Sequence, residues 1–177
     1  IMIFQKTKLK GEYVILPERI EDERGFFSRI FDEKEFSDLD LNTKWVQYNT
    51  FFSKKKGTLR GLAYQERPKQ EVKLIRCVRG EIYDVAVDLR INSETYGQYT
   101  SVVLNPENGK LRYIPRGFAH GYITLKDNTE VFYQVSDFYS PKYAKGVRWN
   151  DTAIDVIWPI KPKVISEKVK SFPDYEK

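Results

Sequence analysis

Short apolar segments separated by turn-forming residues run along most of the sequence, and this pattern constrains the fold more than any other feature. In the clearest segment, residues 82–89, an apolar face alternates with a second face that carries Asp84 and Asp88. A period of two residues indicates a β-strand, because successive side chains of a strand point to opposite sides of a sheet. Comparable apolar segments predict strands at residues 13–16, 73–78, 99–104, 111–114, 121–125, 131–136 and 154–158.

Helical patterns are sparse by comparison. Residues 32–36 predict one short helix or turn, with Asp32 as its N-cap. No internal repeat or linker divides the chain, and its 177 residues fit one domain that spans residues 1–177. Many short strands with little helix indicate an all-β sandwich or closed barrel. Asp84 and Asp88 then face either solvent at a sheet edge or a barrel interior polar enough to hold a ligand.

The scarcest residue types exclude several kinds of chemistry. One Cys rules out an intrachain disulfide framework, and one His argues against a multi-histidine metal centre, so we expect no metal and no other cofactor. The net charge of +5 favours an anionic ligand. The run at residues 54–56 is interpreted as a turn and is too short for a nucleic-acid-binding stripe. The lack of a long apolar run or export signal, together with one unpaired Cys, predicts a cytoplasmic protein without a membrane span.

Four segments combine residues in ways too specific for a scaffold alone. They are residues 22–27 (DERGFF), residues 47–49 (QYN) with 57–65 (GTLRGLAYQ), residues 113–121 (YIPRGFAHG), and residues 133–139 (YQVSDFY) with 146–151 (GVRWND). Over residues 10–168 the chain resembles the dTDP-4-dehydrorhamnose 3,5-epimerase family, the sugar-nucleotide epimerases of the cupin superfamily. The resemblance implies a cupin-type jelly-roll barrel with a few short helices, a homodimer, and metal-free chemistry on nucleotide-linked 4-keto-6-deoxyhexoses.

Such a substrate requires a base, an acid and a group that stabilises an enolate, because the keto group acidifies the protons on C3 and C5. The resemblance implies that the base is a His in the string that reads RGLAYQ here, so the base position is Ala63. The Asp that partners this His in the family corresponds to Val169. Both positions of the dyad are therefore apolar, which indicates a natural, divergent variant.

The other catalytic positions of the family have their usual residues. Tyr133 matches the acid, Lys73 matches the enolate-stabilising lysine, and His120 matches a second active-site histidine. A tyrosine of ordinary pKa near 10 is a poor base at neutral pH. To act as a base, Tyr133 would need a neighbouring cation such as Lys73 to lower its pKa.

The resemblance also implies a set of residues that bind substrate and nucleotide. Some of them, Arg24 and Phe27, match positions contributed by the other subunit of a dimer. The full set is Arg24, Phe27, Arg29, Gln47, Asn49, Arg60 and Tyr139. Arg29 departs from the usual Glu of the family. A Glu accepts from the N3–H of thymine, whereas an Arg only donates, which suits cytosine better. Both a dTDP-linked and a CDP-linked sugar remain open as the partner.

Two functions remain open at this point. The first is an epimerase that inverts C3, C5 or both in a nucleotide-linked 4-keto-6-deoxyhexose; a more restricted version inverts only one of these carbons. Such an enzyme acts in deoxysugar synthesis for a surface polysaccharide such as O-antigen. The second is a sugar-nucleotide-binding homologue of the same pathway that has lost catalysis. We also expect a homodimer, because residues 4–16 are poorly placed to form an unpaired edge strand and residues 24–27 match a segment that walls the partner's site.

Overall fold

Residues 1–176, which the computed structural model describes, form fourteen strands and two short helices. In chain order they are β1 (Met2–Lys6), β2 (Tyr13–Pro17), β3 (Arg19–Asp22), β4 (Gly25–Ser28), α1 (Glu33–Ser37), β5 (Gln47–Ser53), β6 (Thr58–Gln65), β7 (Lys73–Arg79), β8 (Ile82–Asp88), β9 (Tyr99–Leu104), β10 (Leu111–Ile114), β11 (Phe118–Thr124), β12 (Thr129–Val135), β13 (Ala144–Gly146), β14 (Val164–Ile165) and α2 (Glu167–Lys170). None of the helices in this part of the chain is long and apolar enough to cross a membrane.

The strands are arranged in two six-stranded sheets and one separate hairpin. The first sheet has the order β1-β2-β10-β7-β12-β5, and the second has the order β13-β6-β11-β8-β9 with β14 added beside β6. Neighbouring strands pair antiparallel, except that β14 runs parallel to β6. The two sheets pack face to face through a core that joins Ile75 and Val131 of the first sheet to Ala86 and Tyr122 of the second. This arrangement confirms the prediction of an all-β, cupin-type jelly-roll fold with a few short helices.

The outer face of the second sheet is also buried. Val85 and Val87 on β8 pack against Val147, Ile154 and other residues of the C-terminal segment. Because apolar residues cover this face while the opposite face of β8 lines the space between the sheets, both sets of alternating side chains are inside the protein. Asp84 and Asp88 are fully buried. Of the two predicted locations, the polar barrel interior is confirmed for Asp84. The prediction of a solvent-facing sheet edge is wrong for both Asp84 and Asp88.

Most predicted elements occur close to their expected positions, with one clear error. The strands at 99–104 and 111–114 are confirmed, and α1 begins after the expected N-cap, Asp32, whose side chain accepts from the backbone of Lys34. Residues 154–158 do not form a strand. The side chain of Asp151 accepts hydrogen bonds from the backbone of Ala153 and Ile154, which forms a turn instead. The apolar side chains of this segment cover the second sheet.

The hairpin β3–β4 projects apolar side chains into solvent. Ile20, Phe26 and Phe27 are each more than half exposed in the single chain. Residues 4–16 do not form one isolated strand, because β1 and β2 pair with each other and β1 forms the outer edge of the first sheet. In the single chain, the hairpin therefore presents an exposed apolar surface.

Candidate active site

A cavity of about 810 Å³ lies between the two sheets. Strands β5, β6, β7, β11 and β12 line it, and the segment from β14 to α2 closes one side. Seven of the ten predicted site residues line this one cavity, namely Gln47, Asn49, Arg60, Lys73, His120, Tyr133 and Tyr139. The fold therefore brings together residues that lie up to about ninety positions apart in the chain.

Register in the first sheet fixes one wall of the cavity. Tyr133 on β12 pairs with Asn49 on β5, and Val135 pairs with both Gln47 and Lys73. Cross-strand partners in a sheet project to the same face. The strand register therefore places Tyr133 and Lys73 two positions apart on the face that lines the cavity.

The second sheet supplies the opposite wall through β6 and β11. His120 pairs with Ala63, and Tyr122 pairs with Arg60, with a shift of register between the two pairs. A side chain at either Gly61 or Gly121 would collide with the backbone of the other strand. Glycine at both positions permits this close approach, and the resulting irregularity sets the register that places His120 directly opposite Ala63.

The Arg60 guanidinium is held in place by three contacts. Its Nε donates to Ser53 Oγ at 3.2 Å, its terminal nitrogen donates to the carbonyl of Phe52 at 3.1 Å, and it lies 4.4 Å from the ring centroid of Phe51. Phe51 in turn stacks on Tyr133 at 5.5 Å. These contacts position the guanidinium as a cation for an anionic ligand in the cavity.

A buried network of polar side chains holds His120 in place. His120 Nε2 lies 2.6 Å from Asp84 Oδ1, and Arg112 donates to Asp84 Oδ2 at 3.0 Å. Arg112 also contacts Glu12, and both residues are almost fully buried. Burial lowers the pKa of His120, while the charge and hydrogen bond of Asp84 oppose that shift. The imidazole is therefore neutral at neutral pH and is held in one orientation.

Lys73 has a carboxylate partner that the sequence reasoning did not identify. Glu71 Oε1 lies 3.4 Å from Lys73 Nζ, and both side chains are largely buried on the cavity wall. The signal available in the sequence was the spacing of two residues, which places 71 and 73 on the same face of an extended segment. Glu71 adds a negative charge to the site beside the predicted enolate-stabilising cation.

The pKa of Tyr133 is not lowered, so the condition under which Tyr133 could act as a base is not met. Burial and, to a smaller extent, the charge of Glu71 raise the pKa of Tyr133 to about 12, against the opposing charge of Arg60. The cation that opposes this shift is Arg60 rather than Lys73. Tyr133 is therefore protonated at neutral pH and is suited to donate a proton rather than to remove one.

Ala63 and Val169 lie on the same cavity wall. Val169 belongs to α2, whose N-cap Ser166 accepts from the Val169 backbone N–H at 3.2 Å, and β14 attaches this segment to β6. The Phe172 ring packs against Gly146, which is the other cross-strand partner of Ala63. The cavity consequently has an apolar wall at the two positions where the resemblance implies a His and an Asp.

Tyr139 lies at the mouth of the cavity. Its backbone N–H donates to Gln47 Oε1 at 2.8 Å, and its side chain is 57% exposed. An exposed aromatic ring beside a polar pocket is suited to stacking on a nucleobase. Its position agrees with the binding role that the resemblance implies.

Three predicted residues do not reach the cavity of their own chain. Arg24 pairs with Asp22 on the β3–β4 hairpin, Phe27 is exposed on the same hairpin, and Arg29 lies 3.3 Å from Asp32. Across residues 1–176, no group of three or more His, Cys, Asp or Glu side chains is arranged to hold a metal ion.

The fold and the cavity define a cupin-type protein whose barrel encloses a cavity lined by Arg60, Lys73 and other polar residues. The family model described as dTDP-4-dehydrorhamnose 3,5-epimerase matches residues 6–177. The enzyme of that name from Methanothermobacter thermautotrophicus is 45% identical over 172 residues, which cover 96% of this chain and 92% of that protein. The chain therefore belongs to the dTDP-4-dehydrorhamnose 3,5-epimerase family.

Solved structures of related enzymes superpose closely. The Bacillus anthracis dTDP-4-dehydrorhamnose 3,5-epimerase with TDP and PPi bound has a TM-score of 0.96 and 36% identity, with 99% of this chain and 100% of that one covered. A Legionella pneumophila relative in complex with dTDP-4-keto-L-rhamnose has a TM-score of 0.92 and 35% identity, with coverages of 98% and 93%. A 3'-monoepimerase from Streptomyces bikiniensis in complex with dTDP-quinovose has a TM-score of 0.88 and 28% identity, with coverages of 95% and 85%.

Proposed function

We propose that the protein epimerises C3, C5 or both in a nucleotide-linked 4-keto-6-deoxyhexose, in deoxysugar synthesis for a surface polysaccharide in the cytoplasm. The observation that carries this proposal is the shared cavity, in which Tyr133 of one sheet and His120 of the other line opposite walls beside Lys73. Inversion at carbon requires proton removal on one face of the sugar and proton delivery on the other. Two proton-transfer groups on opposite walls fit that requirement.

The remaining polar groups suit the charges of the reaction and the ligand. Lys73 is placed to stabilise the enolate oxygen that forms when a proton leaves C3 or C5. The fixed guanidinium of Arg60 suits the diphosphate, and Gln47 and Asn49 provide hydrogen-bonding groups at the same wall. No step in this scheme needs a metal or another cofactor.

The apolar residues Ala63 and Val169 favour epimerisation at one carbon of the sugar rather than at both C3 and C5. Without an ionisable group at either position, fewer proton transfers are available than the resemblance implies for the family. A relative of this chain is a 3'-monoepimerase, so inversion at a single centre occurs within the family. We therefore propose inversion at one centre as the more restricted form of the activity.

The nucleotide is proposed to be dTDP, with CDP as the competing assignment. Relatives have been solved with TDP and with dTDP-linked sugars, which favours thymidine. Arg29 favours cytidine, because a guanidinium only donates hydrogen bonds. In the single chain Arg29 lies near Asp32 and away from the cavity. Comparing the two nucleotides in one binding titration separates these assignments.

The β3–β4 hairpin supports a homodimer with shared sites. Exposed Phe26 and Phe27 project from it, and Arg24 stands beside them, all away from the cavity of their own chain. An exposed apolar surface of this kind marks an interaction site, and a symmetric dimer is the commonest closed arrangement. We propose that the hairpin covers the cavity of a second copy, where Arg24, Phe27 and Arg29 contact the nucleotide.

The second candidate is a binding homologue without catalysis. The observation that favours it is the apolar wall at Ala63 and Val169 beside an otherwise polar cavity. Such a protein would hold a nucleotide sugar for a pathway partner and would exchange no carbon-bound proton.

One experiment separates the two candidates. The protein is incubated with dTDP-4-keto-6-deoxyglucose in deuterium oxide, and the sugar signals are followed by NMR, while calorimetry measures dTDP and CDP binding. Loss of the C3 or C5 proton signal with appearance of an epimer supports the enzyme. Binding without exchange supports the homologue that has lost catalysis. Absence of binding to both nucleotides contradicts both candidates.

A further inference from the structure

The cavity contains few groups that can accept a proton at neutral pH. Tyrosine and lysine side chains ordinarily have pKa values near 10 and are poor proton acceptors at that pH. Burial raises the pKa of Tyr133 to about 12 and also raises the pKa of Tyr122. Among the described residues that line the cavity, the remaining side chains with a proton-accepting atom of suitable basicity are Glu71 and His120.

Glu71 is already engaged. Its carboxylate lies 3.4 Å from Lys73 Nζ on the wall formed by β7. Removing a substrate proton with Glu71 would neutralise the carboxylate and release the ammonium group from its partner. The ion pair with Lys73 therefore already occupies the Glu71 carboxylate, which would have to give up this contact to accept a proton.

His120 is arranged differently. Its Nε2 faces Asp84 Oδ1 at 2.6 Å, so the imidazole donates from Nε2 and leaves a lone pair on Nδ1. Nδ1 forms no hydrogen bond with any residue in 1–176, and it is not among the unpartnered polar atoms that the fold closes off. The ring also lines the cavity. The nitrogen that lacks a partner is therefore the one that a ligand can reach.

Ala63 leaves room on the reactive side of this ring. It is the cross-strand partner of His120, so the two Cβ atoms share a face at a separation of about 5 Å. A methyl group at this position does not fill the space beside the imidazole. The apolar wall at Ala63 and Val169 thus exposes His120 to the centre of the cavity.

We propose that His120 Nδ1 is the general base of this protein and that Asp84 is its positioning residue, an inference that rests on the proposed epimerase function. The C–H bond next to the keto group breaks, its proton forms a new N–H bond at Nδ1, and its electron pair becomes the enolate. Tyr133 then donates its hydroxyl proton to the opposite face of the same carbon. The imidazolium and the tyrosinate are returned to their starting forms by proton exchange with water.

The buried network stabilises the positive charge that His120 carries after it accepts a proton. Asp84 is held by Arg112, which is itself held by Glu12, so the carboxylate cannot turn away from the ring. The groups that face His120 are Asp84 on β8, Arg112 on β10 and Lys73 on β7. Burial, Lys73 and Arg112 lower its pKa, and Asp84 raises it. The base is therefore neutral at neutral pH and loses its function as acid protonates it.

The test measures deuterium exchange at C3 and C5 of dTDP-4-keto-6-deoxyglucose. Wild type is compared with His120→Gln, whose amide keeps a donor for Asp84, and with Lys126→Ala, an exposed lysine in a turn, as a control. We expect His120→Gln to lose at least about 100-fold in exchange rate. Installing Ala63→His in the His120→Gln chain provides a second base on the same wall and is expected to restore part of the rate.

The outcomes separate this inference from the proposed function. Wild type without exchange contradicts the epimerase function itself. Wild type with exchange, together with a His120→Gln rate within about tenfold of it, overturns only the assignment of the base. If Glu71→Gln loses exchange and His120→Gln does not, the assignment of His120 as the base is also overturned, and Glu71 is the base instead.

A pH profile of the wild-type exchange rate provides a readout that does not depend on folding of the His120 variant. We expect the rate to fall as the pH drops below the ordinary histidine value of about 6.5. Asp84→Asn removes the group that raises the pKa of His120, so its profile is expected to move to lower pH. Wild-type and Asp84→Asn profiles with the same midpoint would contradict the positioning role of Asp84.

Discussion

In the proposed reaction, Tyr133 of one sheet and His120 of the other each carry out one of the two proton transfers. Tyr133 is stacked on Phe51 and is protonated at neutral pH, while His120 is neutral and held by Asp84. These states follow from burial and from the neighbouring charges rather than from residue type alone. We therefore assign delivery of the proton to Tyr133 and its removal to His120.

Tyr133→Phe separates removal from delivery. We expect formation of the inverted sugar to fall by about 100-fold or more, because the donor on one face is gone. Deuterium exchange with retention of configuration continues, since His120 still removes and returns the proton on its own face. NMR of the sugar in deuterium oxide measures both rates, and Tyr48→Phe, an exposed tyrosine of β5, is the matched control. Equal loss of exchange and inversion would contradict this division.

Asp88 gives the fold a predictable dependence on pH. Burial alone would raise the pKa of Asp88, but hydrogen bonds from Arg90, Ser93 and Thr95 outweigh it and lower the pKa to about 2. Because the folded value lies below the unfolded value of about 3.9, the stabilisation is present above about pH 4 and is lost as the pH falls toward 2.

We expect Asp88→Asn to lower the free energy of unfolding by about 1–2 kcal/mol at neutral pH. The difference from wild type should shrink between about pH 4 and pH 2, as the wild-type carboxyl becomes protonated. Urea unfolding at several pH values measures this change, with the exposed Asp38→Asn as control. A difference that stays constant over this range would contradict the assigned hydrogen bonds.

Elements differ in how well the sequence predicts them. Strands at 99–104 and 111–114 are recovered because both pair within a sheet over their full length. Residues 154–158 have a similar apolar pattern, yet they cover the second sheet without pairing in it. Short apolar segments bury equally well as a strand or as a cover, so the pattern alone does not separate the two.

The role proposed for the β3–β4 hairpin depends on a second chain. If the hairpin covers the partner's cavity, Arg24 and Arg60 of one site come from different chains. Mixing equal amounts of Arg24→Ala and Arg60→Ala chains then restores one intact site in each mixed dimer, or roughly a quarter of the wild-type activity.

The activity of the mixture should be measured after a step that lets subunits exchange between dimers. Each variant alone should be nearly inactive. No recovery on mixing would place both residues in the site of one chain. A monomer that binds dTDP at micromolar concentration in light scattering would equally contradict the shared site.

For the whole molecule, composition and motifs predicted which residues line the site better than they predicted the contacts between those residues. The fold and seven cavity residues followed from the resemblance and from the strand pattern. The link from Glu12 through Arg112 and Asp84 to His120 joins residues that are distant in the chain. Such long-range pairing depends on sheet register, which single-sequence patterns do not determine. The same limit explains why Glu71 was missed as the partner of Lys73.

The central claim is that this barrel removes and replaces a carbon-bound proton although residues 63 and 169 are apolar. The most direct test is the mass of dTDP-4-keto-6-deoxyglucose recovered after incubation with the protein in deuterium oxide. We expect uptake of at least one deuterium at C3 or C5, at a rate proportional to protein concentration. A recovered sugar that binds to the protein but carries no more deuterium than a protein-free control would contradict the account.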